Sequence, residues 1–288
     1  MDKRRGIDIS KHQGSVDFQD VANDGIEFAI LRCGYAKTTD YRFSKYVKGC
    51  LSNGIDIVGI YLFSYALNKK QAIEEAEFAI RKAEEAGLPN DTIIFFDLEY
   101  DTLRYAKEKG VTIGKQQCIE HTKAFCERVN SSQYTAGVYF NLDYYKRMYD
   151  GVLLDEYVRW LADWTGDADL PCEYHQYTSK GSVDGIYGNV DMNYEINDTR
   201  VNRLHPDLKA VKKVLKGEYG NGKERVESLK KDGYDPKHIQ TLVNSYVKAA
   251  NAVINGAYGN GVDRKIKLRK AGYNYDIVQS YVNKIVER

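Results

Sequence analysis

The stretch "IIFFDLEYD" (residues 93–101) decides how most of this chain folds. Ile93, Ile94, Phe95, Phe96 and Leu98 make a run suited to a buried strand, yet Asp97, Glu99 and Asp101 recur at every second position through its end. Burying a charge without a partner costs several kcal/mol or forces a large pKa shift, so the carboxylates call for a reason. Side chains alternate across a strand, which puts Phe95, Asp97 and Glu99 on one face and Phe96 and Leu98 on the other. If Phe96 and Leu98 pack under outer helices, Asp97 and Glu99 look inward.

Working outward, further short apolar runs punctuate residues 1–200. Together with 92–98 they predict strands at 6–9, 28–33, 56–62, 134–139, 157–162, 173–177 and 190–193. Between them, residues 68–86 read as an amphipathic helix with Asn68 as N-cap and Gly87-Leu88-Pro89 as terminator. Residues 115–130 read as a second helix, capped upstream by Thr112. Alternation of buried strands with helices indicates a parallel sheet covered on its outside. Eight strands in so short a segment point to a closed α/β barrel lacking some outer helices. An open doubly wound sheet is the alternative, although no glycine-rich phosphate loop supports nucleotide binding.

In such barrels chemistry sits at the C-terminal ends of the strands. Asp8 ends "GIDIS" and Asp191 lies in "VDMN", the last predicted strand. First and last strands are neighbours in a closed barrel, so Asp8 and Asp191 should approach each other and join Asp97 and Glu99 at one mouth. Singly, Asp8 is explained as a turn cap and Asp191 as a lysine partner; four acids at strand ends are not explained that way. Carboxylates this close cannot all ionise freely, so one pKa should rise into the range of a general acid. Paired carboxylates suit glycoside hydrolysis, while three or four could instead bind Mg²⁺ or Ca²⁺. The 24 tyrosines favour sugar, because aromatic faces fit pyranose rings. Tyr61, Phe63, Tyr65, Tyr139, Trp160, Trp164 and Tyr177 are the candidate platforms, with Tyr139 and Tyr177 at predicted strand ends preferred.

The totals exclude other classes. At 288 residues and 43% hydrophobic content the chain can bury a large core. No apolar run approaches the roughly 20 residues that span a bilayer, and "MDKRRGIDIS" carries no apolar segment of a secretory signal. The five scattered cysteines read as reduced thiols of a cytosolically folded protein rather than a disulfide framework. The five histidines show no metal-ligand spacing. Neither a metal nor a cofactor is expected, and nothing in the sequence fixes an oligomeric state.

The net charge of +1 hides an asymmetry. Residues 1–207 carry 25 Lys/Arg against 33 Asp/Glu, a balance of −8; residues 208–288 carry 17 against 8, a balance of +9. The basic part also repeats itself. "VLKGEYGNGKERVESLKKDGYDPKHIQTLVN" (214–244) returns as "VINGAYGNGVDRKIKLRKAGYNYDIVQSYVN" (253–283) at an offset of 39 residues. Each copy reads as three short helices broken at Gly-Asn-Gly and Gly-Tyr. This sets the expected organisation: a barrel over 1–200, a linker over 201–207, and repeats over 208–247 and 248–288. Tyr219, Tyr234, Tyr258 and Tyr273 could simply fill small cores. Arg225 and Arg264 are harder to bury, and two copies of one weak face would gain avidity, so all six are candidate binding residues. A basic tail can adhere to anionic polymers, but no nucleic-acid recognition motif accompanies these charges.

The repeats resemble the three-helix cell-wall-binding repeats at the C-termini of some phage lysozymes, on G-x-Y-G-N-G and the later G-Y; that resemblance implies peptidoglycan fragments as ligand. The N-terminal part resembles the family 25 glycoside hydrolases, the N-acetylmuramidases of phages, bacteria and fungi. The motifs are "GIDISKHQG", "FFDLE", "GVY" at 137–139, "HQY" at 175–177 and "VDMN" at 190–193. The resemblance implies a flattened eight-stranded barrel cleaving the β-1,4 bond between N-acetylmuramic acid and N-acetylglucosamine. It makes Glu99 the general acid and Asp97 the group that orients and stabilises the reacting sugar, with Asp8 and Asp191 completing the acidic cluster. It brings Gln176 and Tyr177 to the substrate, with His175 departing from the tryptophan usual in the family. The expected protein is an endolysin, made in the cytoplasm without a signal and acting on the wall after release. A chitinase-like hydrolase and a silent wall-binding lectin are the competing readings.

Overall fold

Runs in which nearly every side chain is apolar become strands covered on both faces, while the last two strands of the sheet mix apolar with polar residues. The computed structural model describes residues 3–149, 154, 156–196, 206–261, 264, 267, 268, 271 and 273–286. The chain divides into two compact units, one of residues 1–87 and 92–198 and one built mainly of residues 199–288. Of the expected linker, residues 201–205 lie outside the described residues.

In the first unit the strands are β1 (Arg4–Ile9), β2 (Phe28–Tyr35), β3 (Thr38–Thr39), β4 (Asp56–Phe63), β5 (Ile93–Asp97), β6 (Thr135–Asn141), β7 (Val158–Ala162), β8 (Tyr174–Gly181) and β9 (Val190–Glu195). All eight expected strands are present; the two-residue β3 is an addition, antiparallel to β2. The order is β1-β9-β8-β7-β6-β5-β4-β2-β3, and a β1–β2 pairing closes the barrel, which excludes the open sheet. The all-parallel expectation is corrected at β9, which runs antiparallel to both β8 and β1. Arg4 helps close the base, bonding Glu195 of β9 and Asp56 of β4.

Outside the sheet lie α1 (Phe18–Asn23), α2 (Phe43–Ser52), α3 (Lys69–Glu85), α4 (Tyr100–Glu108), α5 (Lys115–Asn130) and α6 (Leu142–Arg147). Asn68 caps α3 by accepting the Gln71 N–H. The cap of α5 is Gly114, whose N–H is met by the Gln117 side chain, and not Thr112. No helix follows β7 or β8, as a barrel with missing outer helices requires.

Alternation along β5 works as the sequence predicts. Phe95 points inward and packs on Trp160 and Tyr174, with ring centroids 5.1 and 5.9 Å away. Phe96 points outward onto Phe125 of α5 at 4.7 Å. The Phe95 ring fits because its neighbours at Gly59 and Gly137 lack a Cβ, which would come within 2.6 and 2.4 Å of it. The barrel interior is therefore filled beneath the mouth.

The second unit contains α7 (Pro206–Lys216), α8 (Gly222–Lys231), α9 (Pro236–Ile254) and α10 (Tyr275–Val286). The third helix of the first repeat and the first helix of the second are one helix, α9, which runs through the expected 247/248 boundary. Both repeats feed one core: Val211 and Val214 of α7, Ile239, Val243 and Val253 of α9, and Ile277, Val278 and Val282 of α10.

Candidate active site

Asp8 near the end of β1 pairs directly with Asp191 of β9. Asp191 is only the second residue of its strand, and it reaches the mouth because β9 runs downward while its neighbours run up. Asp97 is the last residue of β5, and Glu99 is the N-cap of α4. All four line one cleft of about 380 Å³, with Ser10, His12, Gln13, Arg32, Tyr61, Phe63, Tyr139, Trp160, Trp164, Gln176 and Ser179.

A layer of amides holds Asp8. One of its oxygens accepts from Gln176 Nε2 at 2.9 Å and from Asn193 Nδ2 at 2.8 Å. Each amide is oriented in turn. Trp160 Nε1 donates to Asn193 Oδ1 at 2.8 Å, while Tyr139 Oη and Trp164 Nε1 donate to Gln176 Oε1 at 3.1 and 3.3 Å. The aromatic residues around the cleft thus fix a carboxylate through intermediary amides.

The acids are electrostatically strained. Burial pushes Asp8 well above the usual carboxylate range, the charge of Asp191 adds to this, and the bonds from Asn193 and Gln176 oppose it. Burial also raises Asp97, with Glu99 adding to the shift. Glu99 is raised by burial and by the charges of Asp101 and Asp191, against a lowering contact with Asp97. Burial pushes Asp191 up to about 6. The cluster therefore retains protons at pH values where ordinary carboxylates have none. Asp97 is 3% exposed and its Oδ1 has no hydrogen-bond partner, whereas Glu99 is only half-buried and faces the cleft.

Sequence reasoning passed over Arg32. It follows Phe28 and Ile30 on the inner face of β2, so the same alternation that exposed Asp97 would have found it. Its Nε donates to Asp40 at 2.8 Å, and Asp40 is held by the N–H groups of Lys11 and Arg42, each at 2.9 Å. One terminal nitrogen of Arg32 is buried without a hydrogen-bond partner. The guanidinium opposes the rise of Asp97. Asn193 was also unforeseen, although it follows Asp191 on the same face of β9, and so were His12 and Gln13, which lie in the short turn after β1.

The aromatic expectations divide. Tyr61, Phe63, Tyr139 and Trp164 line the cleft, and Trp164 is 58% exposed. Trp160 is corrected from sugar platform to core: it is 1% exposed, wedged between Phe95, Tyr61 and Tyr139, with only its edge at the cleft floor. Tyr177 is also corrected. Gln176 takes the inward position, so Tyr177 faces outward and stacks on Tyr194 at 4.2 Å. Tyr65 packs edge-on against Tyr105.

In the second unit Tyr219 is corrected from binding residue to core residue: it is 5% exposed and its hydroxyl bonds Asp232. Tyr234, Tyr258 and Tyr273 lie half-buried against the same core. Arg225 ties the glycine turn to α9, donating to the Gly220 carbonyl, Asn221 Oδ1 and Gln240 Oε1. Arg264 repeats this on Gly259, Asn260 and Gln279. Arg225 also lines a groove of about 570 Å³ between α8 and α9, with Val226, Asp235, Lys237 and Gln240. All five cysteines are buried free thiols. Among the described residues, no His/Cys/Asp/Glu group is arranged to hold a metal ion, and no helix is long and apolar enough to cross a membrane.

Comparison with known proteins supplies context for this geometry. The model of the family "Glycosyl hydrolases family 25" matches residues 7–186, and that of the CW_7 repeat matches residues 209–247 and 248–286. The autolytic lysozyme of Clostridium acetobutylicum is 27% identical over 194 residues, 65% of this chain and 54% of its own. This chain therefore spans about half the length of that curated relative. Among solved structures, the modular autolysin LytC of Streptococcus pneumoniae, in complex with a synthetic peptidoglycan ligand, aligns with TM-score 0.61 and 22% identity over 67% of this chain and 46% of LytC. The catalytic domain of endolysin ply40, from a bacteriophage of Listeria monocytogenes, gives 0.56 at 22% identity over 71% of this chain and 98% of its own. A bacterial lysozyme from Streptomyces coelicolor gives 0.55 at 21% identity, over 71% and 96%.

Proposed function

The chain belongs to the glycosyl hydrolases of family 25 and carries two CW_7 repeats, and from that premise we propose that it is a lysozyme hydrolysing the β-1,4 bond between N-acetylmuramic acid and N-acetylglucosamine in bacterial peptidoglycan. One observation carries this reading: Asp8, Asp97, Glu99 and Asp191, from three distant stretches of the sequence, converge on a single cleft in a proton-retaining cluster. The autolytic lysozyme among its relatives and the peptidoglycan-bound autolysin among its structural neighbours support the substrate class.

Glu99 is the general acid of the proposed mechanism. It reaches the cleft, and its raised pKa keeps a proton for the leaving glycosidic oxygen. As that bond breaks, positive charge builds at the anomeric carbon. Asp97 lines the same cleft but at 3% exposure is too buried to activate bulk water, which favours a role beside the substrate's 2-acetamido group. In that route the acetamido oxygen attacks the anomeric carbon, Asp97 stabilises the intermediate, and Glu99 then deprotonates the incoming water. Asp8, locked by two amides, and Asp191 orient the sugar. The inverting alternative makes Asp191, the less buried of the two, the base that activates water.

The CW_7 unit would hold the enzyme on the wall, with the groove beside Arg225 and Gln240 as the proposed ligand site. We further place the protein as an endolysin that is made in the cytoplasm and meets the wall after release. The test is Glu99→Gln. Wild type is expected to clear Gram-positive cell walls and generate new reducing ends. The variant should lose at least about a thousandfold of this activity while sedimenting with walls as wild type does. Equal clearing by both proteins would reject the acid assignment, and no clearing by wild type would reject the lysozyme reading.

A further inference from the structure

Several carboxylates outside the cleft are buried in the barrel unit, and most of them face an arginine. Asp40 meets Arg32, Asp56 and Glu195 meet Arg4, and Glu173 meets Arg159. Glu75, on α3, is different. It is 3% exposed and has no ion-pair partner among the described residues. A buried carboxylate without a counter-ion is costly, and burial pushes this one up to about 7. The fold keeps it nonetheless.

Its hydrogen bonds indicate a purpose. Ser64 Oγ donates to Glu75 Oε2 at 2.6 Å, and the Tyr65 N–H donates to Oε1 at 2.9 Å. Ser64 is fully buried just beyond the end of β4, and its peptide grips both ends of the acidic turn. The Ser64 N–H donates to the Asp97 carbonyl at 2.7 Å. The Ser64 carbonyl accepts from Thr102 Oγ1 at 2.6 Å, and that same Oγ1 accepts the Glu99 N–H at 3.3 Å. A continuous chain of hydrogen bonds thus runs from Glu75 to the backbone of both Asp97 and Glu99.

We propose that Glu75 is a positioning residue for the catalytic turn, clamping the Ser64–Tyr65 corner so that the Asp97 and Glu99 carboxyl groups are held at the cleft. Its two oxygens accept, one from a hydroxyl and one from an N–H; a glutamine keeps one accepting oxygen for the Tyr65 N–H and turns its NH₂ toward the Ser64 hydroxyl, which can accept it but loses Glu75 as the acceptor of its own proton. The Ser64 hydroxyl already accepts the Ala66 N–H, so the corner cannot rearrange without losing a bond. The consequence for activity rests on the lysozyme reading above; the consequence for the backbone does not.

The test compares wild type, Glu75→Gln and, as a control on the same helix, Glu84→Gln at an exposed position, all as the full chain. Amide hydrogen exchange at Ser64, Tyr65 and Glu99 is expected to quicken at least roughly ten-fold in Glu75→Gln and to stay unchanged in Glu84→Gln, with α5 amides unaffected in both. On soluble glycan strands kcat should fall roughly ten-fold with KM within two-fold. Unchanged exchange at Ser64 and Glu99 would overturn the proposal, as would uniform acceleration across α3 and α5, which marks a general loss of stability. If Glu75→Gln does not fold, Ser64→Ala carries the same test, because it removes the hydroxyl's bond to Glu75, together with the bond it accepts from the Ala66 N–H, and keeps the Tyr65 contact. If wild type fails to cleave glycan, the lysozyme reading falls while the exchange result still decides this one.

Discussion

Asp97 and Glu99 stand two positions apart, yet the fold gives them different surroundings. Both line the cleft, but Asp97 is almost wholly buried with an unpartnered oxygen, whereas Glu99 is only half-buried. The same strain has a cost that can be measured at Asp191. Its pKa rises from 3.8 to about 6 on folding, so the folded state holds this proton more tightly than the unfolded chain. That contribution is fully present below pH 4 and is lost as pH rises through about 6. Asp191→Asn should therefore raise the thermal midpoint by a few degrees at pH 7.5 and leave it nearly unchanged at pH 3.5. Calorimetry at the two pH values checks this; a lowered midpoint at pH 7.5 would show that the charge supports the fold. The four acids were legible from the sequence because carboxylates interrupt apolar strands. Arg32 interrupts β2 in the same way and was equally legible. Glu75 was not, because an acid on an amphipathic helix looks the same in sequence whether it faces solvent or the sheet.

At the scale of the element, β2, β4 and β5 were legible because they are buried on both faces and read as apolar runs, whereas β8 and β9 mix apolar with polar residues. The direction of β9 was not read, although a signal existed. Residues 182–189 between β8 and β9 are fewer than the dozen or so that a parallel crossover needs, so a hairpin was the only short connection. Tyr177 was misassigned by ignoring alternation, since Tyr174 and Gln176 already occupy the inner face. Trp160 was misassigned by depth, because it fills the layer of Phe95 rather than the rim. That packed layer makes a sharp prediction. Gly137→Ala puts a methyl within 2.4 Å of the Phe95 ring, and overpacking of this kind costs about 1–3 kcal/mol. Thermal melts should show a midpoint several degrees lower, and an unchanged midpoint would mean that the ring moves freely aside.

Over the whole molecule, the charge break and the repeat revealed two modules, but the repeat also suggested two separable three-helix units. The shared helix α9 and the common core correct this. Removing residues 248–288 would cut α9 within its span of Pro236–Ile254 and strip Leu268, Ile277, Val278 and Val282 from the core. The truncated protein should lose the cooperative melting of its first repeat and its wall binding together. A stable first repeat in that truncation, seen by circular dichroism and wall sedimentation, would show that the copies fold alone. Removing the whole helical unit after residue 200 should instead leave cleavage of soluble glycan close to wild type and reduce only the action on intact walls.

The most direct test of the central claim, that the gathered acids cut one particular sugar linkage, is to identify the sugar left at the new reducing end. Purified peptidoglycan is digested with wild type, reduced with borohydride and read by mass spectrometry. The account predicts reduced N-acetylmuramic acid at the new ends in the wild-type digest and none above background with Glu99→Gln. Reduced N-acetylglucosamine at those ends, or equal release by the variant, would contradict it.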